Sequence, residues 1–177
     1  MQTGNNNFQI FFVLGAPGSG KGTQIKLLAE KLGFFHFVSS QMGREYIKKH
    51  DDAEIKKQKE RHESGLLWDS EWILKIIKEK TEEILNNKGE RKGIIYDGSP
   101  RTLLEAKELL NFLAGKVGKE NIRILEIDTN EDELRNRIKS RLVFEKRIDD
   151  KEKIFEIRMG EYKKETREGK VCNFILA

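Results

Sequence analysis

The sequence predicts an α/β fold of three layers, a central parallel β-sheet of about five strands flanked by helices. Two observations lead there. Short apolar runs alternate with longer stretches of helical spacing along most of the 177 residues, the pattern of parallel strands joined by crossover helices. The first apolar run also passes directly into a glycine-rich turn and then a helix. Ligands of such sheets bind outside the carboxyl ends of the strands, so the candidate site is expected there.

The elements follow in order. Residues 8 to 14, FQIFFVL, read as a buried strand, and 15 to 23, GAPGSGKGT, as the turn. Ile25, Leu28, Ala29 and Leu32 mark a helix that stops at Gly33. FFHFV, 34 to 38, is a second strand; His36 is read as a strand residue, since no cluster of ligand types surrounds it. Residues 43 to 62 carry many charges and few apolar anchors (Tyr46, Ile47, Ile55), predicting a thin, mobile helical segment. Ser70 is the expected cap of a helix with Trp72, Ile73, Ile76, Ile77 and Leu85 on its apolar stripe. After a polar loop over 86 to 93 comes the strand GIIYD and a helix begun by Thr102. IRILEID, 122 to 128, is a fourth strand, followed from about Glu131 by a helix carrying Leu134, Ile138 and Leu142. A last helix is expected from Asp149 to Thr166 with Ile154, Phe155, Met159 and Tyr162 inward. KVCNFILA is read as a fifth strand.

Composition narrows the function classes. Charged residues make up 36% of the chain and apolar ones 37%, against roughly 25% charged in ordinary domains. The net charge of +4 suits a phosphorylated small molecule, a nucleic acid or an acidic surface. No aromatic and basic stacking platform is visible, so nucleic acid is not the expected partner. Cys172 stands alone, which excludes a disulfide framework within the chain and a cysteine metal cage. No apolar run approaches the ~20 residues of a membrane span. MQTGNNN lacks the blocks of a signal peptide. A cytoplasmic setting without a membrane partner is the expectation.

The turn GAPGSGKGT satisfies G-x-x-x-x-G-K through Gly15, Gly20 and Lys21. Glycines let successive backbone N–H groups curl around a phosphate, the following helix adds positive potential, and Lys21 adds a full charge. Gly18, Ser19, Gly20, Lys21, Gly22 and Thr23 are therefore candidates for binding the phosphates of a nucleotide. The usual Ser or Thr directly after the lysine is replaced by Gly22, with Thr23 next. Any magnesium is then expected to be held chiefly by phosphates and water.

GAPGSGKGTQ together with DGSPRT at 97 to 102 resembles the nucleoside monophosphate kinases, most closely the adenylate kinases in their short-lid form. The resemblance runs from the first strand to about Thr166. It implies one P-loop kinase domain over 1 to 177, with a small helical clamp for the monophosphate at 39 to 69 and a short lid at 141 to 148. It also implies Mg²⁺-dependent transfer of the γ-phosphoryl group of ATP to AMP, giving two ADP. On the ATP side it marks Arg137 and Arg141 beside the loop. The reaction would be carried by Lys21, Arg101, Arg141, Arg147 and Arg158. On the AMP side it marks Ser39, Ser40, Arg44, Leu67, Trp68, Gly98, Arg101, Glu105, Arg147 and Arg158. Asp97 would reach magnesium through water, with Thr23 as a further contact. Asp149 and Asp150 would orient the lid arginines and strengthen a helix start. With only LVFEK between Arg141 and Arg147, the longer zinc-bearing lid is not expected, and the apolar Leu142, Val143 and Phe144 suggest a stiffer hinge.

The departures from the family pattern lie on the acceptor side. S-T-G-D-x-x-R becomes SSQMGRE at 39 to 45, and Arg44 fills the arginine place only with one residue deleted. G-x-L-V-x-D is compressed to GLLWD, where Trp68 either walls a base pocket or packs the clamp core. DGFPRTxxQA becomes DGSPRTLLEA, so Ser99 replaces a phenylalanine and Glu105 a glutamine. An ionised glutamate only accepts hydrogen bonds, which admits GMP or another monophosphate beside AMP. A nucleotide sensor with weak or no turnover is the alternative from another class. Finally, the last strand is expected to be shortened and the closing helix missing. That leaves an apolar face through which an otherwise monomeric protein could dimerise.

Overall fold

The computed structural model describes residues 8–145, 152–167 and 171. Four strands form one parallel sheet: β1 (Gln9–Gly15), β2 (Phe34–Val38), β3 (Gly93–Asp97) and β4 (Ile122–Ile127), in the order β2-β3-β1-β4. The intervening helices are α1 (Lys21–Leu32), α2 (Ser39–Lys49), α3 (Ala53–Glu63), α4 (Ser70–Asn86), α5 (Leu103–Val117), α6 (Glu131–Glu145) and α7 (Glu152–Glu161). A π-helical turn, Tyr162–Arg167, continues α7.

Alternation along the strands divides the core. Phe12, Phe37 and Tyr96, from three neighbouring strands, point to one face; Tyr96 lies between the other two rings with centroids 4.9 Å from each. Ile73, Ile76 and Ile77 of α4 and Leu109 and Leu113 of α5 close over that face. Val13 and Ile95 point to the other, against Ile25 and Ala29 of α1. Burying such side chains contributes about 1.5–3 kcal/mol each relative to exposure. Beneath the rings, the Thr81 and Tyr96 hydroxyls share a hydrogen bond of 2.7 Å, which satisfies the polar atoms of two fully buried residues. Close strand packing also explains Gly93: a Cβ there would lie 2.3 Å from the Gln9 carbonyl oxygen.

The register positions the site. Asp97 pairs with Val13 on one side and Val38 on the other. The turn after β1, the turn after β3 and the start of α2 therefore open at one edge of the sheet, the carboxyl edge that the strand pattern indicates.

Several boundaries differ from the sequence expectation. The cap of α4 is Asp69, whose carboxylate accepts from the N–H groups of Glu71 and Trp72. Ser70 is instead the first helical residue, and its hydroxyl pairs with that of Thr102 at 2.8 Å. The charged segment 43 to 62 is two helices, because Asp52 caps a fresh start through Ile55 N–H at 2.9 Å. Thr102 caps α5 as expected, accepting from Glu105 N–H. Of the expected fifth strand only Val171 is described; it is helical and fully buried against Leu14 and Ala106. The rest of that strand, the beginning of the last helix and the segment around Arg147 lie outside the described residues.

Candidate active site

The turn after β1 is built on positive-φ glycines. Gly20, at φ 84°, caps α1 with a left-handed backbone that a side chain would strain. Gly18, at φ 86°, lets the turn press on α6; a Cβ would stand 3.0 Å from Ile138 Cγ1. Arg137 of α6 fixes the same turn by donating from Nη1 to the Ser19 carbonyl at 3.1 Å. The Ser19 hydroxyl is buried and, among the described residues, is the one side-chain polar atom of that kind without a hydrogen-bond partner. That orphaned donor and the helix start behind it make a cradle fitted to an anion.

Lys21 bends over the turn and donates from Nζ to the Ala16 carbonyl at 3.1 Å. Desolvation, with Arg101, Arg158 and Arg141 adding like-charge repulsion, brings its ammonium down from 10.5 to about 7, against the opposing pull of Asp97. Those four partners locate the convergence of charge. Lys21, Asp97, Arg101, Arg141 and Arg158 come from β3 and from the segments following β1, β3 and β4, and they meet at one edge of the sheet.

Asp97 ends β3 beside His36, whose Nε2 lies 3.3 Å from Oδ2. Burial works to raise the Asp97 carboxyl, but the His36 hydrogen bond, Lys21 and Arg101 together hold it below the ordinary value. His36 is thus more than a strand residue. Its significance was not visible in sequence because its partner lies 61 positions away, on the neighbouring strand. Ser39 meets the same place, donating to the Asp97 carbonyl at 3.0 Å.

The turn after β3 aims Arg101. Gly98 has φ 84°, and a Cβ would stand 2.8 Å from Arg101 Nη2. Arg101 Nε donates to the Gly98 carbonyl at 2.8 Å, and Thr166 donates to the Arg101 carbonyl at 2.9 Å. Burial and the neighbouring Arg158 lower the pKa of the guanidinium, which still remains charged near neutrality. Thr166 was not expected at the site; sequence spacing carries no sign of a contact 65 residues long.

A cavity of about 410 Å³ opens beside Arg101, lined by Ser40 and Arg44 of α2, His62 of α3, Leu67, Trp68 and Arg158. Trp68 packs the clamp core, one of the two roles the sequence allowed, and it also lines this cavity. It stacks on His62 with centroids 4.2 Å apart. Gly43 makes room for it, since a Cβ there would lie 3.0 Å from the indole. Leu67 also lines a smaller cavity with Lys21, Gly98 and Arg101, so the two spaces adjoin at Arg101 and Arg158. Glu105 lines neither: its carboxylate is turned into the Ser99–Arg101 turn. Gly22 and Thr23 lie exposed on the first turn of α1. Arg147, Asp149 and Asp150 lie outside the described residues.

Among the described residues no three His, Cys, Asp or Glu side chains gather to hold a metal ion. Asp97 faces the turn after β1; a Cβ at Gly22 would come 3.6 Å from its Oδ2. One carboxylate fits a hard cation whose other ligands are phosphate oxygens and water. Also among the described residues, no helix is long and apolar enough to cross a membrane.

The family model described as adenylate kinase matches residues 13–172. An adenylate kinase of Phocaeicola vulgatus is 36% identical over 155 residues, 87% of this chain and 78% of that protein. An adenylate kinase of Francisella philomiragia is 37% identical over 74% of the chain and 56% of its own length. One of Kosmotoga olearia is 38% identical over 74% of the chain and 58% of its own length. The matches to the latter two thus span less than two thirds of those relatives.

Proposed function

The chain belongs to the adenylate kinase family, and we propose that it is a nucleoside monophosphate kinase transferring the γ-phosphoryl group of ATP to AMP, giving two ADP. The observation that carries this reading is the convergence of Lys21, Arg101, Arg141 and Arg158 at one edge of the sheet. That edge lies between a phosphate cradle and a cavity lined by Arg44 and Trp68.

The reaction asks for alignment and charge neutralisation rather than acid–base work, because the acceptor oxygen of a monophosphate is already anionic. That oxygen attacks the γ-phosphorus in line as the bond to the β–γ bridging oxygen breaks. The backbone of Gly18 to Gly22 and the Ser19 hydroxyl hold the ATP phosphates, with Thr23 close behind. Lys21 follows the transferred group; bound phosphates restore the charge that crowding removes. Arg137 flanks the ATP side and Arg141 reaches the phosphates. Arg44 and Arg101 grip the acceptor phosphate with planar, bidentate forks. Arg158, and Arg147 from the proposed lid at 141 to 148, neutralise the group in flight. Ser39, Ser40, Leu67, Trp68 and Gly98 shape the acceptor pocket within the proposed clamp at 39 to 69. Asp97, with water and the bound phosphates, would hold a magnesium ion, which when bound would add neutralisation of the phosphate oxygens.

The single cysteine suits a reducing, cytoplasmic setting, and the expected partners are the two nucleotides, with the chain a monomer or a dimer through an apolar C-terminal face. A second reading follows from the altered SSQMGRE segment at 39 to 45: a different acceptor such as GMP, or nucleotide sensing with little turnover. A coupled ADP assay with ATP, Mg²⁺ and each nucleoside monophosphate decides, with Lys21→Ala as the control for contaminating kinase. Turnover fastest on AMP is expected. Tight ATP binding without turnover on any monophosphate overturns the kinase reading in favour of a sensor.

A further inference from the structure

The two residues of the Asp97–Ala106 stretch that depart from the family pattern touch each other. Ser99 Oγ donates to Glu105 Oε2 at 3.1 Å, and the Arg101 backbone N–H donates to the same oxygen at 2.8 Å. Both side chains are nearly inaccessible, each at 2% exposure. We propose that Ser99 and Glu105 are a pair of positioning residues that fix Arg101 for the acceptor phosphate. The proposal rests on the kinase reading above.

The geometry holds residue 101 at three points. Glu105 takes its N–H, Thr166 donates to its carbonyl, and Arg101 Nε donates back to Gly98. Only the Glu105 bond fixes the N-terminal side of the residue, where the chain leaves Pro100. Glu105 is itself held, because its own N–H bonds the Thr102 cap at 3.2 Å. A buried carboxylate is costly without donors. A phenylalanine at 99 would supply none, whereas serine supplies one, so the two departures act as a single change. Burial raises the Glu105 carboxyl while the Arg101 N–H, the Arg101 charge and Ser99 oppose it, in keeping with two hydrogen bonds at one oxygen.

The test is steady-state kinetics with both nucleotides varied, together with calorimetric binding of AMP and GMP. Glu105→Ala is expected to raise KM for the monophosphate and lower kcat, together about a hundredfold in kcat/KM, the scale of leaving buried donors unsatisfied. KM for ATP stays within about twofold, since Lys21 and the cradle are untouched. Ser99→Ala gives a smaller loss of the same kind, and the double variant is no worse than Glu105→Ala alone. Glu105→Gln recovers most of the loss, because an amide oxygen can still accept both bonds, and it leaves the AMP-to-GMP preference unchanged. Equal loss on ATP and monophosphate, or a base preference switched by Glu105→Gln, overturns the proposal; the latter makes Glu105 a base reader. Should Glu105→Ala not fold, Ser99→Ala carries the same readout. Should the wild type turn over no monophosphate, the kinase reading fails separately. Positioning is then judged by binding: monophosphate affinity must fall in Glu105→Ala as it does in Arg101→Ala, and unchanged affinity overturns it.

Discussion

Arg137 donates to the Ser19 carbonyl at 3.1 Å, joining two residues 118 positions apart. The bond fixes the middle of the phosphate cradle from α6, and an ion pair with Glu133 one turn back orients the guanidinium. Because α6 runs toward the lid proposed at 141 to 148, this contact would couple that lid to the turn after β1. Arg137→Ala is expected to raise KM for ATP about tenfold, with KM for the monophosphate little changed. Arg137→Lys restores part of the loss, since one ammonium cannot both hold Ser19 and keep the Glu133 geometry. Equal effects on the two nucleotides would contradict a role confined to the cradle.

Lys21 carries two expectations. Lys21→Ala should lower kcat about 10²–10³-fold, the scale of a lost preorganised charge donor, without loss of folding cooperativity. The second concerns protons. With its pKa lowered to about 7, Lys21 is mostly neutral at pH 8, and bound phosphates draw its pKa upward. ATP binding at pH 8 should then take up a proton, read from the dependence of the calorimetric enthalpy on buffer ionisation. The uptake should shrink at pH 6 and vanish in Lys21→Ala.

The Thr81–Tyr96 hydrogen bond makes a stability prediction remote from the site. Tyr96→Phe leaves the buried Thr81 hydroxyl unpaired and should cost about 1–3 kcal/mol in chemical denaturation. Replacing both partners, as Tyr96→Phe with Thr81→Val, should cost less than the sum of the single changes. Strict additivity would show that the two hydroxyls do not depend on each other.

Glu105 should leave a mark on the pH dependence of stability. Its folded pKa is raised above the ordinary 4.5, so the folded state retains a proton that the unfolded chain loses as pH rises past that value. The contribution is fully present below 4.5 and is lost as pH climbs toward the folded pKa. Glu105→Gln lacks this loss. Denaturation at pH 4.5 and at pH 7.5 should show the variant gaining on the wild type at the higher value, and a constant difference would refute the shift.

Much of this arrangement was legible in the amino-acid order. Four strands, most of the helices between them and the glycine-rich turn follow from local periodicity and composition, whereas the arginines were singled out by resemblance to a family pattern. What local reading could not resolve were pairings between distant or newly combined residues. Asp69 and Ser70 are both competent caps, and the choice fell to Asp69 because Ser70 is engaged by Thr102. His36 gained its partner only when β2 was laid beside β3. Ser99 and Glu105 looked like two separate departures from a pattern, and contact made them one.

The sequence by itself determined the fold class and the place of the glycine-rich turn between the first strand and its helix. Hydrophobic periodicity, glycine turns and fixed positive charge act over a few residues and are written in the order of the chain. Only the tertiary structure decided which of those charges converge, which carboxylate faces the cradle and which is turned inward beneath Arg101. Those outcomes depend on strand register and desolvation, quantities that exist only once the strands have paired and the side chains have left water.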